Sequence, residues 1–261
     1  METMQALRIE VIGDVTSFRY PHFMWGVQPT FEMPPPATIY GHICSAVGDW
    51  IPPQGLLFAY HFTHEGKFVD LEHIHAGGGM EAVSTQRRKE LSARGVSDVS
   101  LYGESTINPF QRELLFRPRL TLYLNRLDLA PAFQSPRYPV VLGRSQDLCA
   151  YPPRSVRIVT LERRNDVYYE HTLLPISMGA MTRRGVVLMM PRWLDYQRRR
   201  HPTFAQYLML NDRVLATDMQ IIGVTEPVWC DPSAPQYRGH SRAVVWHRFV
   251  DEEQTMQTPE E

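Results

Sequence analysis

Residues 6–12, ALRIEVI, alternate: Leu7, Ile9 and Val11 fall on one face, Arg8 and Glu10 on the other. A period of two marks a half-buried strand. An aromatic-rich segment with turn formers follows, and three prolines, Pro34 to Pro36, stop any regular element there. Ile39, Ile43 and Val47 then recur every four residues. That spacing predicts a helix that begins just after a proline and stops at Gly48. Residues 55–75 predict a hairpin with arms GLLFAYHFT and KFVDLEHIH around the turn HEGK.

Residues 76–112 break the pattern, with three consecutive glycines, several cations and few large apolar groups, so they predict an excursion from the core. Leu120, Leu122 and Leu124 restore strand alternation, and DLAPAF predicts a short helix. Beyond Pro153 come the short strand patterns SVRIVTLER, DVYYEHTLL, GVVLMMP, RVLATDMQIIGV and RAVVWHRFV, separated by turn residues. The order predicts an α+β protein. Its simplest form is a ferredoxin-like or RRM-type antiparallel sheet in residues 1–150, with the excursion inserted, a smaller β-rich part at 151–250 and a disordered acidic tail at 251–261.

Composition narrows this only a little. Hydrophobic residues make up 43% of 261, enough for a sizeable core, and the 21 prolines favour short strands over long helices. Net charge is −1, so any nucleic-acid site has to be a local patch. Of the 27 cations only Lys67 and Lys89 are lysines. Arginine suits phosphate and base stacking, although codon bias in a GC-rich genome produces the same excess. Cys44, Cys149 and Cys230 lie far apart without a CxxC pair, which supports neither a zinc knuckle nor a disulfide framework and fits a reducing cytoplasm. No apolar run approaches the roughly 20 residues of a membrane helix.

Two segments carry a family resemblance. GDVTSFRYPHF (13–23) with TFEMPPPATIYGHICSAVGDW (30–50), followed later by YPVVLGRSQDL (138–148), resembles the signatures of the Cas-five family of CRISPR-associated proteins, in order and in separation. The resemblance is sharp over these segments and architectural elsewhere. It implies a modified RRM fold, a thumb-like insertion and a non-catalytic role. The subunit would hold the 5′ handle of the CRISPR RNA in a type I Cascade complex, beside a backbone subunit and a large subunit that reads target DNA. No cofactor is implied.

The residues permit that chemistry. Arg19 can pair with phosphate through a bidentate fork, and Phe18 and Tyr20 can stack on unpaired bases beside Ser17. The other reading is a surface arginine among core aromatics. Thr38 sits at the start of the predicted helix, where backbone amides attract anions, although an ordinary helix entry accounts for it as well, and Tyr40 on the first turn can face either the core or RNA. Gly143, Arg144 and Ser145 allow close approach to a phosphate. Arg87 and Arg88 lie in the excursion, the thumb by resemblance, where a solvated charge run is the alternative. Arg198 to Arg200 suit either phosphate or an acidic protein surface.

Three rival functions are open. An RNA-cutting subtype of the same family uses a helix tyrosine and a Lys-His pair; Tyr40 matches the first, but Phe68 and Glu90 follow the two lysines. With the PPPATIYG form, that absence leans toward a type I-B-like system. A metal-dependent hydrolase would draw on His61 and His64, or on His73 and His75 with Asp70 and Glu72. A plain interaction protein would bind no RNA.

Overall fold

The computed structural model describes residues 2–23, 26–76, 84–95, 106–179, 184–218 and 227–251. The tail beyond Asp251 and parts of the predicted excursion (77–83 and 96–105) lie outside them. Contacts divide the chain into two units.

The first unit comprises Met1–Phe18, Phe31–Gly66 and Leu115–Glu261. Three apolar rows explain its main sheet. Leu7 faces Leu124 and Phe58, Ile9 faces Leu122 and Tyr60, and Val11 faces Leu120 and Phe62. All nine side chains are buried. At ~1.5–3 kcal/mol for each large side chain, these rows dominate the stability of the sheet. They belong to strands Thr3–Gly13, Arg119–Leu124 and Leu57–Thr63. The full order is Val228–Cys230, Arg157–Arg164, Thr3–Gly13, Arg119–Leu124, Leu57–Thr63 and His247–Arg248, all antiparallel, with Cys149–Ala150 also paired to the first strand.

The first strand is not half-buried as its alternation predicts. Arg8, on the nominally polar face, is 8% exposed. That face is covered by a second cluster, Ala6, Ala59, Tyr123, Leu161 and Val244, with Trp229 and Trp246 packed against it. Three of these residues come from the last third of the chain, which a local pattern cannot foresee.

Helix α1 spans Pro36–Val47, as predicted, and ends at Gly48 with φ 89°. The left-handed cap directs the Gly48 amide to the Cys44 carbonyl at 2.8 Å. The short helix predicted at DLAPAF is a 3-10 turn, Leu127–Leu129, running into an α-helical turn, Ala130–Gln134. A three-stranded antiparallel sheet joins Thr172–Pro175, His201–Leu210 and Val186–Asp195. His201–Leu210 was not among the predicted strands. Its first half is largely exposed, so it lacks a core face to read. Pro191 is tolerated because the register shifts between it and Trp193.

The second unit comprises Arg19–Thr30 and Lys67–Leu114. It corrects the predicted hairpin. Leu57–Thr63 pairs with Arg119–Leu124, whereas Gly66–Ala76 pairs with Thr106–Phe116, so the two arms enter different sheets. Pattern and turn residues locate strands but do not choose their partners. Val27–Gln28 lies parallel to Gln111–Arg112 in the same sheet. Helix α2, Thr85–Ala93, is capped by Ser84, whose hydroxyl accepts the Arg87 amide. The chain is thus mixed α and β, mostly antiparallel, with few helices.

Candidate nucleic-acid interface

The segments Thr16–Ser17 and Leu142–Asp147 are about 125 residues apart in sequence and in direct contact in the first unit. The Thr16 hydroxyl donates to the Leu142 carbonyl. Asp147, 1% exposed, accepts the Ser17 amide at 3.1 Å and the Arg144 amide at 3.0 Å. It also takes the Arg144 guanidinium through Nε and Nη2, the latter at 2.7 Å. Gly143 has φ 99°, and a Cβ there would lie 2.5 Å from Thr16 Oγ1 and 2.7 Å from the Ser17 carbonyl oxygen. Only glycine lets the two backbones come this close. Two exposed residues, Gly143 and Ser145, top the clasp. The Ser17 hydroxyl beneath is buried with no hydrogen-bond partner among the described residues.

Beside the clasp lies an open groove of about 400 Å³. Ile12 and Leu148, 41% and 64% exposed, supply apolar surface, while Arg117 and Arg119 supply positive charge and Asp14 a carboxylate. Arg117 has φ 49°, lies 5.1 Å from the Phe116 ring and pairs with Glu65 at 3.2 Å. Arg119 is exposed and has no carboxylate partner among the described residues. Burial, reinforced by the charge of Asp147, pushes the Cys149 thiol up to about 12, so the groove wall holds a neutral thiol. Exposed apolar surface beside guanidinium groups suits a nucleobase with its phosphate. The sequence reading missed all four groove residues. Ile12 reads from the pattern only as the end of a strand, and Arg117 in a turn and Arg119 at the start of the next strand have no motif to mark them.

Among the residues singled out from sequence, Ser17, Gly143, Arg144 and Ser145 come together in the clasp. Arg144 serves Asp147 there, its side chain only 15% exposed. Phe18 is 2% exposed with its ring edge-on to Phe62 at 5.4 Å, so its faces belong to the core. Tyr40 is likewise 2% exposed; its hydroxyl donates to the Ile51 carbonyl, and burial raises its phenol. Thr38 is half-buried. Its amide turns to the Pro35 carbonyl, and Pro34 to Pro36 have no N–H, so this helix start is poor in donors for an anion.

The remaining residues lie in the second unit. Arg19 is exposed and Tyr20 half-buried, its ring edge-on to Phe23 at 6.1 Å. Arg87 is exposed on α2 beside Glu90 at 3.5 Å, and Arg88 is half-buried.

Of the histidines read as candidate ligands, the side chain of His75 lies outside the described residues. No group of three or more His, Cys, Asp or Glu side chains among the described residues is placed to hold a metal. His61 lies 3.7 Å from Glu170. Burial lowers His61 to about 4, so it is neutral at pH 7. No helix among the described residues is long and apolar enough to cross a membrane.

A mixed antiparallel α+β fold with a loop clasp beside a groove that carries two arginines is what the geometry defines. No family model matches the chain, and no curated protein matches it. Among solved structures, the chain is similar to one described as "CRISPR RNA-guided surveillance complex", with a TM-score of 0.50 at 18% identity, over 81% of this chain and 92% of that one. It is also similar to "Crystal structure of Cas protein", with a TM-score of 0.42 at 13% identity, over 82% of this chain and 97% of that one. A third, a CRISPR protein from Archaeoglobus fulgidus, has a TM-score of 0.37 at 12% identity, over 94% of this chain and all of that one. The first shares its fold with this chain.

Proposed function

We propose that this chain is a Cas-five-like subunit of a type I CRISPR effector, of type I-B-like character, and that it holds the 5′ handle of the guide RNA without cutting it. One observation carries the reading: the two signature segments, remote in sequence, are clasped together by the Thr16 hydroxyl on the Leu142 carbonyl and the Ser17 amide on Asp147. The clasp adjoins a groove with exposed apolar surface and Arg119, which has no carboxylate partner among the described residues. The shared fold with a surveillance-complex chain supports the same assignment. So does the sheet. Thr3–Gly13, α1, Leu57–Thr63, Arg119–Leu124, Ala130–Gln134 and Arg157–Arg164 run strand-helix-strand-strand-helix-strand, and the strands lie in the spatial order fourth, first, third, second. That order is the one expected of a ferredoxin-like, RRM-type sheet, and it supports the reading. Backbone and large Cascade subunits would be its neighbours and would bring it to target DNA. The buried Tyr40 and the missing Lys-His pair favour holding over cleavage.

The test is fluorescence anisotropy with a guide RNA transcribed from the repeat array of the source genome. Binding is expected to fall steeply with salt, and Arg119→Ala to cost ~1–2 kcal/mol. Absence of handle binding would remove the reading, and specific cleavage of precursor RNA would transfer it to the cutting subtype.

A further inference from the structure

The strands Val186–Asp195 and His201–Leu210 form a long hairpin. Its tip is Tyr196-Gln197-Arg198-Arg199-Arg200. The His201 amide donates to the Arg198 carbonyl at 3.0 Å, and Arg199 and Arg200 take φ 51° and 60°. This is a turn with both central residues left-handed, the kind that favours Asn-Gly. Two consecutive arginines are a costly choice there, since a Cβ is strained in this region. The local fold does not require them, because Asn-Gly would close the same turn with less strain. An outlier of this kind points to use of the side chains.

The tip is also held firmly. Asp195 Oδ1 accepts the amides of Gln197 at 3.0 Å and Arg198 at 3.2 Å. Tyr196 stacks on Trp50 with centroids 5.0 Å apart and planes 6° from parallel, and Trp50 stacks in turn on Tyr40 at 6.2 Å. Trp50 remains 43% exposed. Arg198 reaches the Asp195 carboxylate at 3.8 Å, whereas Arg199 and Arg200, both exposed, have no carboxylate partner among the described residues.

We infer that this hairpin tip is a second nucleic-acid contact, one that grips the phosphodiester backbone without reading sequence. Two neighbouring guanidinium forks on a turn held by Asp195 and by the Tyr196–Trp50 stack match successive phosphates. The inference does not depend on the handle site. Its ligand is any nucleic-acid backbone, and none of the groove or clasp residues takes part.

The double substitution Arg199→Asn with Arg200→Gly tests it in the full chain, against a single-stranded oligouridine and a DNA duplex, neither carrying a handle. Relief of the turn should raise Tm, while affinity for at least one probe should fall about tenfold and the salt slope should flatten by about two. Handle binding is measured alongside with the guide RNA, so the two sites are scored separately. Unchanged affinity for both probes would overturn the inference, as would a fall in Tm, because the arginines would then serve the fold. Loss of handle binding in Arg119→Ala with generic binding intact would leave the inference standing.

Discussion

Gly143 has φ 99°, and a side chain there would press on the Ser17 carbonyl at 2.7 Å, a backbone atom that cannot swing aside. Gly143→Ala is therefore expected to destabilise by ~2–4 kcal/mol through backbone strain and this contact. Thermal unfolding followed by circular dichroism checks the size. A variant as stable as the parent would mean that the clasp opens at little cost. The Gly-Arg-Ser triplet was legible in the sequence; what Arg144 does was not. Its guanidinium turns inward to Asp147, a residue that no motif reading singled out. A planar fork fits a carboxylate as well as it fits a phosphate, and only the folded loop decides which is nearer.

Elements were easier to locate than to pair. Helix α1 could be read from its spacing, its prolines and Gly48, because all three act within one or two turns of chain. The pattern at Gly66–Ala76 marks a strand, but its partner, Thr106–Phe116, starts some thirty residues on, inside the predicted excursion, and runs past its end. In the second unit, Arg112 ties these two strands together. Its Nε donates to Glu72 at 2.8 Å, with both side chains largely covered, and Nη1 donates to Gln28 at 3.3 Å. Arg112→Ala is expected to loosen this sheet by ~1–3 kcal/mol. Hydrogen exchange would then speed up in Gly66–Ala76 and stay unchanged in Arg119–Leu124. Equal acceleration in both would contradict a local role.

At the scale of the first unit, a buried polar knot joins the two ends of the chain. Arg8 donates to Asp231 at 3.0 Å, Tyr123 donates to the same carboxylate at 2.9 Å, and Ser233 donates to its other oxygen. Asp231→Ala leaves Arg8 with Glu10 as its carboxylate partner but strips it of Asp231, and takes the acceptor from the buried Tyr123 hydroxyl, so it is expected to cost ~1–3 kcal/mol in chemical denaturation. Burial alone would raise the Asp231 carboxyl, yet bonds from Ser233 and Tyr123 and the charge of Arg8 hold it below its usual 3.8. A depressed carboxylate stabilises the fold above its unfolded pKa, and that contribution fades as pH falls through the folded value. The parent should therefore lose stability below pH 4 faster than the Asp231→Ala variant. Parallel acid titrations of the two would contradict this.

The sequence by itself determined the first strand, helix α1, the strand at Leu120 to Leu124 and the positions of the two signature segments, since each rests on near-neighbour periodicity or on a glycine or proline. Tertiary structure decided which strands pair, that Arg8 is buried, that Phe18 and Tyr40 are core aromatics, and that Arg117 and Arg119 share a groove with Ile12 and Leu148. Such facts depend on what the far end of the chain brings to a surface. The covering of the first strand comes from residues 161–246, and no local pattern near residue 8 carries that information.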